Sequence, residues 1–181
     1  MGTIRIPSPV TLFIAVLYQD PIIFDNVCST LQEKLGEIEW TSEPLPFTHT
    51  TYYHSIGEQL LRVFLVFRKR IDPGFLPDLK ILTNQIEEQT ATGEKSRQIN
   101  LDPGYFDGGK IVLATTKNSS HRVYLGKGIY GEATIRWEKG SFRPFEHTYP
   151  DYSSIDYRPI LSRIRDLHRL SQDQSRNEPV Q

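Results

Sequence analysis

Residues 100–132 hold the densest group of side chains in this chain that could bind or transform a ligand. Short apolar runs alternate there with Pro-Gly, Gly-Gly and Gly-Lys-Gly signals, which are typical of turns that place polar groups at strand ends. Asp102 could act as a general base and His121 as a general acid or base, with a nearby lysine to stabilise negative charge. Such a set suits phosphoester hydrolysis without a metal ion.

Positive charge is concentrated in the second half of this region. Seven basic and two acidic residues lie between positions 110 and 143, whereas the whole chain has 21 basic and 22 acidic residues and a net charge of −1. This segregation indicates either an anionic ligand or basic residues that protect exposed strand edges. The candidate ligand-binding residues are Lys110, Lys117, Arg122, Tyr124, Lys127, Glu132, Tyr149 and Asp151.

A β-hairpin around the Gly-Lys-Gly loop gives two candidates alternative roles. The register that groups apolar residues on one face pairs Leu125 with Ile129, Val123 with Gly131, Tyr124 with Tyr130, Arg122 with Glu132 and His121 with Ala133. Arg122 is then either the ion-pair partner of Glu132 or a ligand-binding arginine. His121 is either a buried neutral histidine or an acid/base group in a pocket.

Other candidates also have structural interpretations. Asp102 precedes Pro-Gly and could cap a turn with its side chain. The tripeptide Asp-Pro-Gly also occurs at residues 72–74, and we interpret the two copies as independent turns rather than a duplicated phosphate-binding element. Residues 149–152, Tyr-Pro-Asp-Tyr, either close over the site or form a capping turn while the tyrosines pack at the domain edge.

Several kinds of site are excluded by the motifs. The chain has no G-x-x-x-x-G-K-[ST] loop and no G-x-S-x-G element, which argues against a conventional NTPase and a serine hydrolase. Residues 126–131 match G-x-G-x-x-G, but they join two strands instead of opening a helix. A single cysteine, Cys28, and five histidines without metal-binding spacing give no support for a metal site. We expect neither a metal ion nor a cofactor.

The spacing of apolar residues predicts an α+β fold. Strands are predicted over residues 10–18, 38–41, 48–53, 60–67 and 97–101. Helices are predicted after Asp20-Pro21, ending at Gly36, and after Asp72-Pro73, ending near Gln89. The order strand, helix, strand, strand, helix, strand is typical of a ferredoxin-like βαββαβ core, which has an antiparallel sheet with two helices on one face.

The remaining residues extend this core with a C-terminal β-hairpin region and a final helix. Strands are predicted over residues 110–115, 121–125, 129–137 and 142–145, and a helix from about Ile155. We expect a flexible N-terminus at 1–9, a single domain at 10–170 and a disordered tail at 171–181. The apolar run at 10–18 is too short to cross a bilayer and lacks a cleavage pattern, which indicates a soluble cytoplasmic protein with no membrane partner.

Five short motifs resemble a known family. In order they are Leu101-Asp102-Pro103-Gly104-Tyr105, Leu113-Ala114-Thr115-Thr116-Lys117-Asn118, His121-Arg122-Val123-Tyr124-Leu125, Gly128-Ile129-Tyr130 and Thr148-Tyr149-Pro150-Asp151-Tyr152. Their combination resembles the bacterial and archaeal domain-of-unknown-function family numbered 4416, from Val10 to about Leu167. The resemblance implies a small stand-alone cytoplasmic protein. Some members are labelled GTP-binding, which points to a nucleotide or another phosphorylated ligand.

Three functions are compatible with these patterns, and they include both binding proteins and enzymes. The first is binding or conversion of a phosphorylated small molecule or nucleotide at the basic, glycine-rich strands and turns. The second is binding of single-stranded RNA, since ferredoxin-like sheets with exposed tyrosines can stack bases, although the central strands lack an RNP-type run of aromatics. The third is a metal-independent phosphoester hydrolase built on Asp102 and His121.

Overall fold

The computed structural model describes residues 2–48, 53, 56–92 and 97–177. The elements in chain order are β1 (Val10–Tyr18), α1 (Pro21–Leu35), β2 (Ile38–Thr41), β3 (Leu45–Pro46), β4 (Leu61–Ile71), α2 (Leu76–Gln89), β5 (Ile99–Phe106), β6 (Lys110–Thr115), β7 (Val123–Gly126), β8 (Ile129–Glu138), β9 (Ser141–Pro144), α3 (Pro150–Ser153) and α4 (Arg158–Asn177). The nine strands form one antiparallel sheet with the order β2-β4-β1-β5-β6-β8-β7, in which β3 pairs with β4 and β9 with β8. The predicted α+β class is confirmed.

The central strand β1 is buried along its whole length because helices cover both faces of the sheet. Leu12, Ile14 and Val16 belong to the core beneath α1 and α2, whereas Phe13 and Ala15 belong to the core beneath α3 and α4. Side chains alternate between the two faces of a strand, so a strand covered on both sides is apolar at nearly every position. This arrangement explains the near-continuous apolar run from which the strand was predicted, in which Thr11 is buried as well.

The helix starts predicted from Asp-Pro pairs are present. Oδ1 of Asp20 accepts a hydrogen bond from the Ile22 amide at 2.8 Å, and α1 ends before Gly36, whose φ of 94° favours glycine. Oδ1 of Asp72 accepts from the Gly74 amide at 2.7 Å and caps a short 3-10 turn that leads into α2. Local side-chain chemistry therefore defines the starts of both helical segments.

The second Asp-Pro-Gly copy, at residues 102–104, does not form a turn. It lies inside β5 and pairs with residues 13–15 of β1, so the predicted turn and turn-capping role of Asp102 are wrong. A Cβ atom on Gly104 would lie 2.6 Å from Leu113 Cδ2 and 2.8 Å from the carbonyl oxygen of Val112. The glycine is therefore required by close packing between strands, and pairing with β1 overrides the local turn preference.

The β7–β8 hairpin keeps part of the predicted register. The observed pairs are Val123 with Gly131, Tyr124 with Tyr130 and Gly126 with Ile129. The first two pairs match the prediction, whereas the predicted pairing of Leu125 with Ile129 is wrong because an irregularity between Tyr124 and Gly126 shifts the register. Since β7 is an edge strand, Val123 and Leu125 are exposed, and the predicted apolar face is not buried there.

The two ends of the chain differ in structure. Residues 2–9 are exposed and have no regular secondary structure, whereas α4 continues to Asn177 through the first part of the segment predicted to be disordered. Residues 178–181 and most of the strand predicted over 48–53 lie outside the described residues. Within the described part, no helix has both the length and the apolar character needed to cross a membrane.

Strands β5 and β6 pair over a short stretch and then separate. Their pairs are Gly104 with Leu113, Tyr105 with Val112 and Phe106 with Ile111. Among the described residues, the first half of β5 has a strand partner only in β1, and the end of β6 has one only in β8. The separation opens a cleft at this end of the sheet.

Candidate functional site

The cleft between β5 and β6 contains a cavity of about 970 Å³. Helix α2 lines one side, residues 149–152 line another, and Phe47 and Tyr53 contribute to the wall. Half of the residues predicted from the sequence as site residues line this cavity, and they are Asp102, Lys117, Glu132, Tyr149 and Asp151. We therefore take the cavity as the candidate functional site.

Two side chains of α2 replace the strand partner that β5 lacks in the cleft. Nζ of Lys80 donates to the carbonyl oxygen of Leu101 at 2.8 Å, and the amide of Leu101 donates to Oε1 of Glu87 at 2.6 Å. Nη1 of Arg97 donates to Oε2 of Glu87 at 2.5 Å. Burial raises the pKa of Glu87, although Lys80 and Arg97 oppose this effect. The cleft thus stays open while the backbone of Leu101 keeps its hydrogen bonds.

We define the floor of the cavity as the lining residues Arg62, Lys80, Asp102, Asp151 and Tyr152, and Asp102 lies there among three donors. Its Oδ2 accepts from Nδ2 of Asn100 at 2.7 Å and from Nη1 of Arg62 at 3.4 Å, and its Oδ1 lies 3.8 Å from Nζ of Lys80. The side chain is nevertheless 27% exposed. A carboxylate held in this way has a fixed orientation and still has lone pairs available to a ligand.

Arg62 is the most buried cation in the cavity lining, with 3% of its side chain exposed. It donates to the carbonyl oxygen of Ala15 at 3.2 Å, lies 3.9 Å from Oδ2 of Asp151 and sits over the ring of Phe47. Burial alone would lower the pKa of Arg62, but Tyr157 and the nearby carboxylates raise it above its ordinary value, so the guanidinium is charged. Its buried Nε has no hydrogen-bond partner among the described residues.

Tyr152 provides a second buried polar atom of this kind. The residue is 4% exposed, and its hydroxyl has no hydrogen-bond partner within the described part of the chain. Burial raises the pKa of Tyr152 well above its usual value, so the hydroxyl remains a donor. The neighbouring Asp151 is satisfied, since it accepts from the Tyr152 amide at 2.9 Å and from the Tyr157 hydroxyl at 3.4 Å. Arg62 and Tyr152 thus both line the cavity, and each has one buried donor that is unpaired among the described residues.

Arg122 forms the predicted ion pair with Glu132. Nε of Arg122 donates to Oε2 of Glu132 at 2.7 Å, and its Nη2 donates to the hydroxyl of Tyr149 at 2.6 Å. Glu132 is buried and also accepts from Oγ1 of Thr134 at 3.2 Å. Burial raises the pKa of Tyr149, as does the nearby charge of Glu132. Arg122 does not line the cavity itself, but it connects two residues that do.

His121 lies outside the cavity lining. Its Nε2 is 3.3 Å from Oε2 of Glu132, and its ring stacks on His147 with the centroids 4.4 Å apart. Nδ1 of His121 is 3.2 Å from the hydroxyl oxygen of Ser119. Because Asp102 lines the cavity and His121 does not, the structure does not bring the predicted acid/base pair together.

Three further predicted residues lie away from the cavity. Lys110 begins β6 at the end opposite to the cleft and forms an ion pair with Asp107. Lys127 is at the tip of the β7–β8 hairpin, where its Nζ is 2.5 Å from Oδ1 of Asp78. Tyr124 is exposed on the edge strand β7. The glycine-rich hairpin therefore does not contribute its tip to the cavity.

Sequence reasoning missed several polar residues of the lining: Arg62, Lys80, Glu87, Arg97 and Asn100. Two of them carry a usable signal. Arg62 interrupts the apolar strand β4, and Lys80 lies beside Leu79 on the buried side of α2. A charged residue in an apolar pattern must be paired or must line a cavity, because burying an isolated charge is costly. Among the described residues, no cluster of His, Cys, Asp and Glu is arranged to hold a metal ion.

Comparison with known proteins identifies the family. The family model described as domain of unknown function DUF4416 matches residues 8–168, a range that contains every residue of the cavity lining. The comparison with curated proteins gives no match, nor does the comparison with solved structures. With this match over most of its length, the chain belongs to the family of the domain of unknown function DUF4416.

Proposed function

We propose that the protein binds a phosphorylated small molecule or a nucleotide in the cavity between β5, β6 and α2. The volume of about 970 Å³ lies at the upper end of the range of about 300–1,000 Å³ that is common for small-molecule sites. The observation that carries the proposal is that one cavity is lined both by the cations Arg97 and Lys117 and by two residues, Arg62 and Tyr152, that each have a buried donor without a partner among the described residues. A ligand with several hydrogen-bonding groups and a negative charge suits this lining.

The exposure of the basic residues favours a phosphate at the mouth of the cavity, where Arg97 and Lys117 lie. On the floor, Arg62 and Lys80 lie within 4 Å of carboxylate oxygens of Asp102, Asp151 or Glu87, so their charges are largely balanced. Lys117 is exposed, and the side chain of Arg97, which forms an ion pair with Glu87, is still 33% exposed. A phosphate near these two residues would keep part of its hydration while gaining charge-assisted hydrogen bonds.

The strand order supports a ferredoxin-like core in the first half of the chain. Four neighbouring strands have the order β2-β4-β1-β5, helix α1 follows β1, and α2 lies between β4 and β5. Residues of α1 and α2 pack into the same core on one face of the sheet. This arrangement supports the proposal of a βαββαβ unit. In this proposal the site lies beside the last strand of the unit, where the C-terminal strands are added. We place the protein in the cytoplasm, since its one cysteine, Cys28, is a free thiol.

The geometry favours small-ligand binding over the other two functions considered from the sequence. Both faces of β1 are buried under helices, whereas RNA-binding ferredoxin-like sheets use an open face on which aromatic side chains stack bases. A hydrolase that uses Asp102 with His121 would require the two side chains to reach the same substrate, and only Asp102 lines the cavity.

A panel of nucleoside mono-, di- and triphosphates and sugar phosphates tests the proposal by thermal denaturation. A ligand at one hundred times its Kd stabilises the folded protein by about 2.7 kcal/mol. Ligands that raise Tm are then titrated calorimetrically into the wild type, Lys117→Ala and Lys127→Ala. We expect Lys117→Ala to weaken binding about tenfold, the effect of losing one charge-assisted hydrogen bond.

Lys127→Ala is the matched control because Lys127 pairs with Asp78 at the exposed hairpin tip. It should leave the affinity unchanged. An equal loss in both variants would move the site to the hairpin, and the absence of any Tm increase across the panel would contradict the proposed function.

A further inference from the structure

We infer that the floor of the cavity binds an uncharged polar ring of the ligand, a nucleobase or a sugar, through Nε of Arg62, the hydroxyl of Tyr152 and the carboxylate of Asp102. The inference rests on the proposed function, because it takes the cavity as the binding site. It adds which part of the ligand lies at the floor and which residues recognise it.

The two unpaired donors are carried by elements that meet on one face of the sheet. Phe64 follows Arg62 by two residues on β4, and its ring packs edge-on against the ring of Tyr152 with centroids 6.0 Å apart. Both donors are at least nine-tenths buried. Buried polar atoms are nearly always hydrogen-bonded in folded proteins, so the unpaired buried donors of two residues that line one cavity indicate a missing acceptor.

The charges already present at the floor disfavour a phosphate as that acceptor. Arg62 lies 3.4 Å from Oδ2 of Asp102 and 3.9 Å from Oδ2 of Asp151, and Lys80 lies 3.8 Å from Oδ1 of Asp102. A dianion beside Nε of Arg62 would be repelled by both carboxylates in a region of low dielectric constant. A neutral oxygen or ring nitrogen accepts the same hydrogen bonds without this repulsion.

Asp102 determines which kind of ligand group can bind beside the two donors. An ionised carboxylate is an acceptor only, so the ligand group that meets its exposed part must be a donor. The floor therefore matches a ring that has a donor and an acceptor close together. The edge of a nucleobase and the neighbouring hydroxyls of a sugar both have this chemistry, whereas the phosphate of the same ligand would extend toward Lys117.

Calorimetric titration of fragments tests this assignment. The probes are four nucleosides, ribose, the nucleoside 5′-monophosphates, ribose 5-phosphate and inorganic phosphate, each added to the wild type, Tyr152→Phe, Asp102→Asn and Lys117→Ala. We expect Tyr152→Phe to weaken a nucleoside and its monophosphate by the same factor, about fivefold for one hydrogen bond. Asp102→Asn should also weaken both, whereas Lys117→Ala should weaken only the phosphorylated probes.

The set of probes distinguishes a sugar at the floor from a nucleobase there. If the floor binds the sugar, ribose and ribose 5-phosphate show the loss in Tyr152→Phe. If it binds the base, the loss is confined to nucleosides and nucleotides. Unfolding is excluded by the Tm of the ligand-free variant, which should not fall because the Tyr152 hydroxyl has no partner among the described residues.

The remaining outcomes test the floor assignment and the proposed function separately. Unchanged binding of nucleosides, nucleotides and ribose in Tyr152→Phe, or an equal loss for inorganic phosphate, would overturn the floor assignment and leave the proposed function standing. Nucleoside binding that depends on Tyr152 but gains nothing from a phosphate would support the floor assignment and overturn the proposed function. If no probe binds, the floor assignment is overturned, and the proposed function is overturned with it only if the nucleotide and sugar-phosphate panel also fails to raise Tm.

Discussion

The ammonium group of Lys80 donates a hydrogen bond to the carbonyl oxygen of Leu101 at 2.8 Å, where an adjacent strand would otherwise supply the donor. Glu87, from the same helix, accepts from the amide of Leu101 at 2.6 Å. The backbone of Leu101 is thus satisfied by side chains at the place where the sheet divides. This substitution lets a polar cavity exist between two neighbouring strands while Leu101 keeps both of its backbone hydrogen bonds.

Replacing Lys80 with methionine should destabilise the protein by about 2–4 kcal/mol, because it leaves a buried carbonyl oxygen without its donor and removes a cation beside buried Glu87. Lys127→Met is the matched control, and it should change the free energy of unfolding by less than about 1 kcal/mol since its ion pair is exposed. Urea denaturation measures both variants. Equal stability of the two would show that the bond to Leu101 is not required.

Gly104 provides a test of whether its segment lies within strand β5. A Cβ atom at Gly104 would lie 2.8 Å from the Val112 carbonyl oxygen, which cannot move without disturbing the sheet. Gly104→Ala should therefore lower the free energy of unfolding by about 1–3 kcal/mol or more, as overpacked cores do. At Gly109, the nearest atom to an added Cβ is Oδ1 of Asp107 at 3.7 Å, so Gly109→Ala is the control and should have little effect. A well-tolerated Gly104→Ala would contradict this packing.

Much of the fold was predictable because its signals are local. The helix beginning after Asp20 was predicted from a capping carboxylate followed by proline, and the structure shows that hydrogen bond. The two Asp-Pro-Gly copies show the limit of such reasoning. Asp72 caps a turn, whereas Asp102 lies within a strand because β1 pairs with it across the sheet. The same tripeptide takes two conformations, and the difference is set by a strand that is distant in sequence.

The candidate site was also predictable only in part. Lys117 and Tyr149 were proposed from their positions at strand and helix ends, and they line the cavity with Asp102. The apolar surroundings of Arg62 and Lys80 indicate from sequence that each is paired or lines a cavity, but their place in this site depends on the separation of β5 from β6. That separation is a property of strand pairing, which no local motif encodes.

Lowering the pH should destabilise the folded protein through His168. This residue lies on α4, with Nδ1 3.0 Å from Oγ1 of Thr11. Burial lowers the pKa of His168, and Arg70 lowers it further, while Asp107 opposes the shift. Below its ordinary pKa of about 6.5, the unfolded chain therefore takes up a proton that the folded state resists. The contribution of neutral His168 to stability is complete above that pH and is lost as the pH falls toward the lowered value.

The stability difference between wild type and His168→Gln should accordingly shrink as the pH falls from 7.5 to 5.5. Urea denaturation at several pH values measures this difference, and glutamine serves as the uncharged replacement that can still meet Thr11. Parallel curves for the two proteins across this range would show that His168 does not titrate differently in the folded and unfolded states.

Two tyrosines in the core beneath α4 should respond in opposite ways to loss of the hydroxyl group. The hydroxyl of Tyr152 is buried and has no partner among the described residues, whereas that of Tyr157 donates to Oδ2 of Asp151 at 3.4 Å. Removing an unsatisfied buried group relieves a cost of about 1–3 kcal/mol, and removing a bonded one loses about 0.5–1.5 kcal/mol. In the ligand-free protein, Tyr152→Phe should therefore raise Tm and Tyr157→Phe should lower it. If both variants lower Tm, the Tyr152 hydroxyl is already satisfied without a ligand, and the case for a recognition group at the cavity floor loses its main support.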